Sequence, residues 1–198
     1  MLAKGMKRPM RRGVLILSLA LSACSGLGGR NDRGHPAVVV LPGAGTVRWW
    51  MPDSGDKLGK GGIFNLKVDR VSVPYTNVMV TSQTTAADGI PVHLHVSEDE
   101  ILYIVSGKGS AIVGEDRREV PVETGTVIYV PTGEWHGLRN ADPSHRMEVL
   151  VVTTPVEKNG LGDFFRDVGT EPGHPPLNVP PEEFRALFRR YGMELPND

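Results

Sequence analysis

His93, His95 and Glu100 stand close together in the chain, and His136 follows on a later segment of different character. Three imidazoles and one carboxylate form a mixed nitrogen and oxygen donor set. Such a set suits a divalent first-row transition metal better than calcium or magnesium, which prefer all-oxygen shells. If residues around His93 are extended, alternate side chains share a face, so His93 and His95 can address one ion. Glu100, after a short turn, opens the next extended run facing back toward them. The same period of two points Leu102 and Ile104 inward, which gives the ion a mostly apolar cavity, with Leu138 as a further wall. Four protein donors on an ion that accepts five or six leave room for water, substrate or dioxygen.

The elements that must position these residues read as strands. Short apolar runs at residues 38–41, 46–51, 66–73 and 77–84 are separated by Gly, Pro, Asp and Ser, which is turn chemistry. The pattern continues at 92–96, 100–106, 109–113, 118–122, 126–130, 135–140 and 147–153. With 24 Gly and 16 Pro in 198 residues and helical periodicity appearing only late, the chain is expected to be all-β. About ten strands in one domain must close into a barrel or sandwich to protect their edges.

At this point the chain resembles the cupin superfamily in its small single-domain form. The first motif, G(X)5HXH(X)3,4E(X)6G, is met by His93, His95, Glu100 and Gly107. Its leading glycine departs, because Gly89 stands nearer His93 than the pattern asks. The second motif, G(X)5PXG(X)2H(X)3N, is met by Gly125, Pro131, Gly133, His136 and Asn140. The resemblance implies a double-stranded β-helix (jelly-roll) barrel over residues 38–155, with His93, His95, Glu100 and His136 as metal ligands. Iron or manganese is the favoured ion, with nickel, copper and zinc as alternatives. Glu134 and Trp135 fall near the expected barrel mouth, where Trp135 packs or touches substrate. Glu98 and Asp99 read as a solvated turn, with Glu98 an alternate ligand should the register slip. His35, His145 and His174 sit in loop-like sequence and read as solvated.

Function follows less sharply. By resemblance to dioxygenase cupins, the leading expectation is a metal-dependent oxidoreductase acting on a small, partly apolar organic substrate, with Glu100 also serving as a base. A non-oxidative lyase, isomerase or decarboxylase would use the same ligands as a Lewis-acid site, and a non-catalytic binding lipoprotein would only hold a small molecule.

The two ends of the chain have other tasks. Lys4, Lys7, Arg8, Arg11 and Arg12 precede an apolar run at residues 14–21 that is too short to span a bilayer. The segment Leu21-Ser22-Ala23-Cys24 resembles the lipobox of bacterial lipoproteins, which makes residues 1–23 a signal peptide, Cys24 the lipidation site and 24–37 a flexible tether. Ser25 points, by resemblance to lipoprotein sorting, to the outer membrane facing the periplasm, and the Arg11-Arg12 pair raises twin-arginine export. As the only cysteine, Cys24 cannot form an internal disulfide. The whole chain carries a formal charge of −1, and removing a leader with five basic residues leaves a clearly acidic remainder. That excludes nucleic acid as an expected partner and leaves the lipid anchor as the membrane contact.

Residues 156–198 read as a C-terminal arm and a short α-helix. The segment 160–165 and the Pro-rich stretch 172–181 are expected to be extended, laying Phe164 and Phe165 on an apolar surface. Phe184, Leu187, Phe188 and Tyr191 then recur at helical spacing, between prolines at the start and Gly192 as a stop. Their apolar face packs on the barrel, or on a second copy in a homodimer.

Overall fold

A computed structural model describes residues 35–50, 62–85, 89–142, 144–174, 177 and 179–197. The expected signal peptide and lipobox, with Cys24, lie outside the described residues. From Thr46 onward the chain forms one compact unit. The run at 38–41 forms no strand, with Val39 and Leu41 exposed. It is cut short by Pro42, Gly43 and Gly45, and Ala44 N–H closes a turn onto Leu41 O instead.

Among the described residues eleven strands then follow: β1 (Thr46–Trp50), β2 (Gly62–Val68), β3 (Met79–Thr85), β4 (Ile90–His95), β5 (Asp99–Ser106), β6 (Lys108–Val113), β7 (Arg118–Glu123), β8 (Val127–Val130), β9 (His136–Asn140), β10 (Met147–Thr154) and the short β11 (Met193–Glu194). Two helices, α1 (Leu161–Val168) and α2 (Pro181–Arg190), lie between β10 and β11. One sheet has the order β1-β2-β3-β10-β5-β8 and the other β11-β4-β9-β6-β7, and every pairing is antiparallel. This is the all-β, two-sheet jelly-roll arrangement that the motifs imply.

Strict alternation fixes which side chains face inward. In β10, Met147, Val149, Val151 and Thr153 are buried while their neighbours are partly wet, and β3 alternates in the same way. In β5 the buried set is Glu100, Leu102 and Ile104. A slip of one residue would turn this set to solvent, so burial of the apolar face locks Glu100 in place.

Gly89 answers a backbone demand. Its φ is +72°, and a Cβ there would lie 1.9 Å from Leu138 O on β9. Only glycine allows β4 to begin this close to the strand that carries His136.

The C-terminal region departs from the expected extended arm, because residues 161–168 form helix α1. Leu161, Phe164, Phe165 and Val168 recur at i, i+3, i+4 and i+7 and are all buried. Asp163 in the first turn accepts the Asn159 N–H (2.9 Å). Burial of that stripe outweighs the breaking tendency of the surrounding glycines. After α1, Trp49 and Thr170 exchange backbone hydrogen bonds (2.8 and 2.9 Å), which fastens the chain to β1. Tyr191, just past α2, donates its hydroxyl to Asp167 (2.8 Å) and ties the two helices together. Beyond α2, Met193 and Glu194 pair with His95 and Leu94, adding an edge strand beside the candidate ligands.

Candidate metal centre

Strand β4 delivers His93 and His95 on one inward face, and β9 sets His136 directly across from His93 in the ladder. Glu100 arrives from the opposite sheet on β5. The backbone also holds the second motif against the first, because Gly133 N–H donates to His95 O (2.8 Å). The turn before His136 is thereby pinned to a ligand strand. All four side chains are buried, at 6% exposure or less. One donor atom from each falls within 4.8 Å of the others, close to twice a metal–ligand bond of about 2.0–2.2 Å.

Hydrogen bonds on the outer side of the rings set their tautomers. His93 Nδ1–H donates to Pro91 O (2.8 Å) and His136 Nδ1–H to Glu134 O (3.0 Å). Carbonyl oxygens only accept, so Nδ1 of each ring carries a proton and Nε2 is left to face the centre. There His93 Nε2 lies 3.3 Å from His95 Nε2, and His136 Nε2 lies 2.6 Å from Glu100 Oε2. Neither His136 Nε2 nor Glu100 Oε2 has a well-directed hydrogen bond. Donor atoms converge at the centre, where a proton between His136 and Glu100, or a shared metal cation in its place, relieves their repulsion. On this test the residues fit a metal ion.

The electrostatics agree. Burial drives His93 well below the usual imidazole range, with His136 and His95 pushing the same way, so its ring is neutral and ready to donate. Burial would raise Glu100, but the hydrogen-bonding position and charge of His136, aided by His95 and His93, hold it at about 2. Burial would lower His136, and Glu100 more than compensates, so His136 is raised. The carboxylate is therefore ionised and its charge is shared with His136.

Beside this cluster lies a cavity of about 180 Å³ lined by His93 and Glu100 together with Trp50, Phe164, Phe184 and Phe188, among others. Trp50 stands 4.9 Å from Phe164 and 5.8 Å from Phe184 between ring centroids. The expected walls are corrected here. Leu102, Ile104 and Leu138 are at most 2% exposed and belong to the core, not to the cavity lining. Glu134 and Trp135 are likewise absent from that lining. Trp135 borders a separate polar depression with Arg185, Arg189 and Glu194, while Glu134 serves through its carbonyl. The aromatic walls come from β1 and the C-terminal helices; in the sequence, the helical spacing of Phe184 and Phe188 was their one visible sign.

Glu98 also differs from expectation. It is 3% exposed, not solvated, and it faces His95 Nδ1 (3.5 Å), on the side of the ring away from Nε2, so it is not an alternate ligand. Asp99 does stay near the surface, accepting from Tyr129 OH and from the Thr132 N–H and hydroxyl. His35, His145 and His174 are exposed, as expected.

Two inward-facing sheets form a small jelly roll around a buried three-histidine, one-glutamate cluster that could hold a metal. Residues 82–153 match the family described as Cupin domain, and the chain carries a small cupin-superfamily domain. An uncharacterized protein from Streptomyces coelicolor is 36% identical over 61 residues, covering 31% of this chain and 54% of that one. The chain thus spans about half the length of that relative. Among solved structures, a predicted oxalate decarboxylase from Thermotoga maritima is 23% identical with a TM-score of 0.48, over 60% of this chain and 99% of that chain. An uncharacterized double-stranded β-helix protein from Klebsiella pneumoniae is 20% identical with a TM-score of 0.42, over 55% and 84%.

Proposed function

We propose that this protein is a metal-dependent oxidoreductase of the dioxygenase type, acting on a small, neutral, partly apolar substrate with aromatic or enolic character. One observation carries the reading: His93 and Glu100 of the ligand cluster open directly into a cavity walled by aromatic rings. Among the described lining residues there is no lysine or arginine, so apart from a bound ion no side chain there would pair with a strongly anionic substrate. Gln83 and Thr85 supply polar contacts at the wall, enough to orient a neutral hydroxyl or carbonyl.

A bound divalent ion, with iron or manganese favoured, would supply Lewis acidity and one-electron chemistry toward dioxygen. The protein's own residues do the rest. The aromatic walls exclude water and stack a planar ring, and His93, His95 and His136 are held by their strands with Nε2 directed inward. Glu100 is the base at the cavity wall, its ionised carboxylate placed to take a proton from a substrate hydroxyl.

The test is elemental analysis of a soluble form beginning at Ser25, followed by oxygen-electrode assays with neutral phenols and enols and with His93→Ala as control. Substrate-dependent oxygen uptake that vanishes in the variant supports the reading. Turnover without oxygen uptake would make it a non-oxidative lyase or isomerase, and saturable binding without turnover would make it a binding protein.

We further propose that Cys24 carries a lipid anchor that holds the domain in the cell envelope. The order of basic residues, apolar run, small residues and cysteine supports this. Cys24→Ala should release the protein from the membrane fraction or leave it unprocessed, and membrane retention of a processed variant would refute it.

A further inference from the structure

Each ligand imidazole needs a partner for its outer nitrogen, and the three are not treated alike. His93 and His136 give their Nδ1–H to backbone carbonyls at 2.8 and 3.0 Å. His95 Nδ1 is buried without a hydrogen bond, and the group facing it is the Glu98 carboxylate at 3.5 Å. The same carboxylate oxygen accepts the Leu161 N–H at the start of α1 (3.1 Å). Glu98 is 3% exposed, and Gly160 makes room for it, since a Cβ at that position would lie 2.6 Å from Glu98 Oε1. A buried carboxylate held by one backbone N–H is expensive unless a positive charge lies nearby.

Resting on the metal-site reading above, we propose that Glu98 is a positioning residue that orients His95 as a ligand and supplies the second negative charge for a divalent ion. Three neutral imidazoles and Glu100 leave a bound divalent ion with one uncompensated positive charge. Glu98, one imidazole away, makes the buried assembly neutral. It also fixes the tautomer with the proton on Nδ1, so that Nε2 faces the centre, and a carboxylate partner makes that nitrogen a stronger donor than a carbonyl would. Because the same oxygen holds the first turn of α1, it joins the ligand set to the helix that brings Phe164 to the cavity wall. In the metal-free protein the relation inverts, and Glu98 is then a buried charge with weak compensation.

The experiment uses cobalt(II) as the probe, with affinity read by chelator competition and by visible absorption bands, on the parent and on Glu98→Gln. Glutamine keeps an acceptor for Leu161 N–H and removes the charge. The expected result is cobalt affinity weakened by about 10–100-fold, while the melting temperature of metal-free protein is unchanged or higher. Equal cobalt affinity in parent and variant would overturn the assignment while leaving the metal site intact. A melting temperature lowered to the same extent in metal-free and loaded forms would reduce Glu98 to a structural role. Failure of the parent itself to bind cobalt would overturn both the metal reading and this one. Should Glu98→Gln not fold, nitrogen-resolved NMR of the zinc-loaded parent decides: a slowly exchanging His95 Nδ1–H is expected, and its absence would overturn the proposal.

Discussion

His136 Nε2 stands 2.6 Å from Glu100 Oε2 across the two sheets, both side chains are buried, and neither atom has a well-directed hydrogen bond. Without metal, a proton must occupy that gap, and the raised His136 beside a Glu100 held at about 2 says where it resides. An incoming ion displaces it. Loading with manganese or zinc should therefore release protons from His136, while His93, already neutral, contributes none. Calorimetry in buffers of different ionisation enthalpy reads the number. An absence of proton release would mean that His136 is neutral before binding.

Asp69 and Arg166 join the turn after β2 to α1, and they make the fold sensitive to acid. Arg166 Nε donates to Asp69 Oδ2 (2.7 Å), its second guanidinium nitrogen contacts the same oxygen, and Ser72 N–H and hydroxyl donate to Oδ1 (2.8 Å each). Burial would raise this carboxyl, but the Ser72 hydrogen bonds and Arg166 together hold it below its ordinary 3.8. A depressed carboxylate contributes stability that is complete above its unfolded pKa and is lost as pH falls through the folded one. Thermal stability should drop as pH is taken below about 4, and Asp69→Asn should flatten that part of the profile. The substitution should also cost about 2–3 kcal/mol at neutral pH, at the lower end for a buried pair because the Arg166 side chain keeps 19% exposure. An unchanged acid profile in Asp69→Asn would assign the acid sensitivity to other carboxylates.

Gly89→Ala tests how tightly the two ligand strands depend on each other. A methyl group at 1.9 Å from Leu138 O, on a backbone with φ +72°, forces β4 away from β9. The expected loss is about 3 kcal/mol or more, together with weakened metal binding, because His93 and His136 face each other across that pairing. Denaturant titration and metal content should fall together. Loss of stability with full metal content would show that the ligands are held independently of this end of β4.

Part of the cluster was legible in the sequence because a period of two is local: His93 and His95 on one strand, and Leu102 and Ile104 following Glu100, needed no tertiary information, whereas His136 was reached only through the second motif. What the same period could not say is which inward residues border empty space. Leu102, Ile104 and Leu138 face inward yet close the core behind the cluster, while the cavity walls come from Trp50 and Phe188, far apart in sequence. Helix α1 was hidden by its glycines, although the stripe of Leu161, Phe164, Phe165 and Val168 had helical spacing. Glu98 looked like a turn residue because nothing local shows that a distant helix terminus covers it.

Trp50 and Phe184 meet at the cavity from opposite ends of the chain, and they offer the sharpest separation between substrate recognition and metal binding. Both are partly buried, so truncation opens the cavity with less damage than removal of the buried Phe188 would cause. Neither supplies a ligand atom. Trp50→Ala should weaken binding of a neutral aromatic substrate by about tenfold, the worth of one stacked ring with its buried area, with metal content unchanged. Trp135 is the internal control: it lies in the separate depression with Arg185 and Arg189, so Trp135→Ala should leave binding of that substrate unchanged. Titration of a neutral phenol against the three metal-loaded proteins reads both effects. The opposite ranking, with Trp135→Ala deleterious and Trp50→Ala silent, would move the substrate site from the aromatic cavity to the tail depression and require a different route to His93 and Glu100.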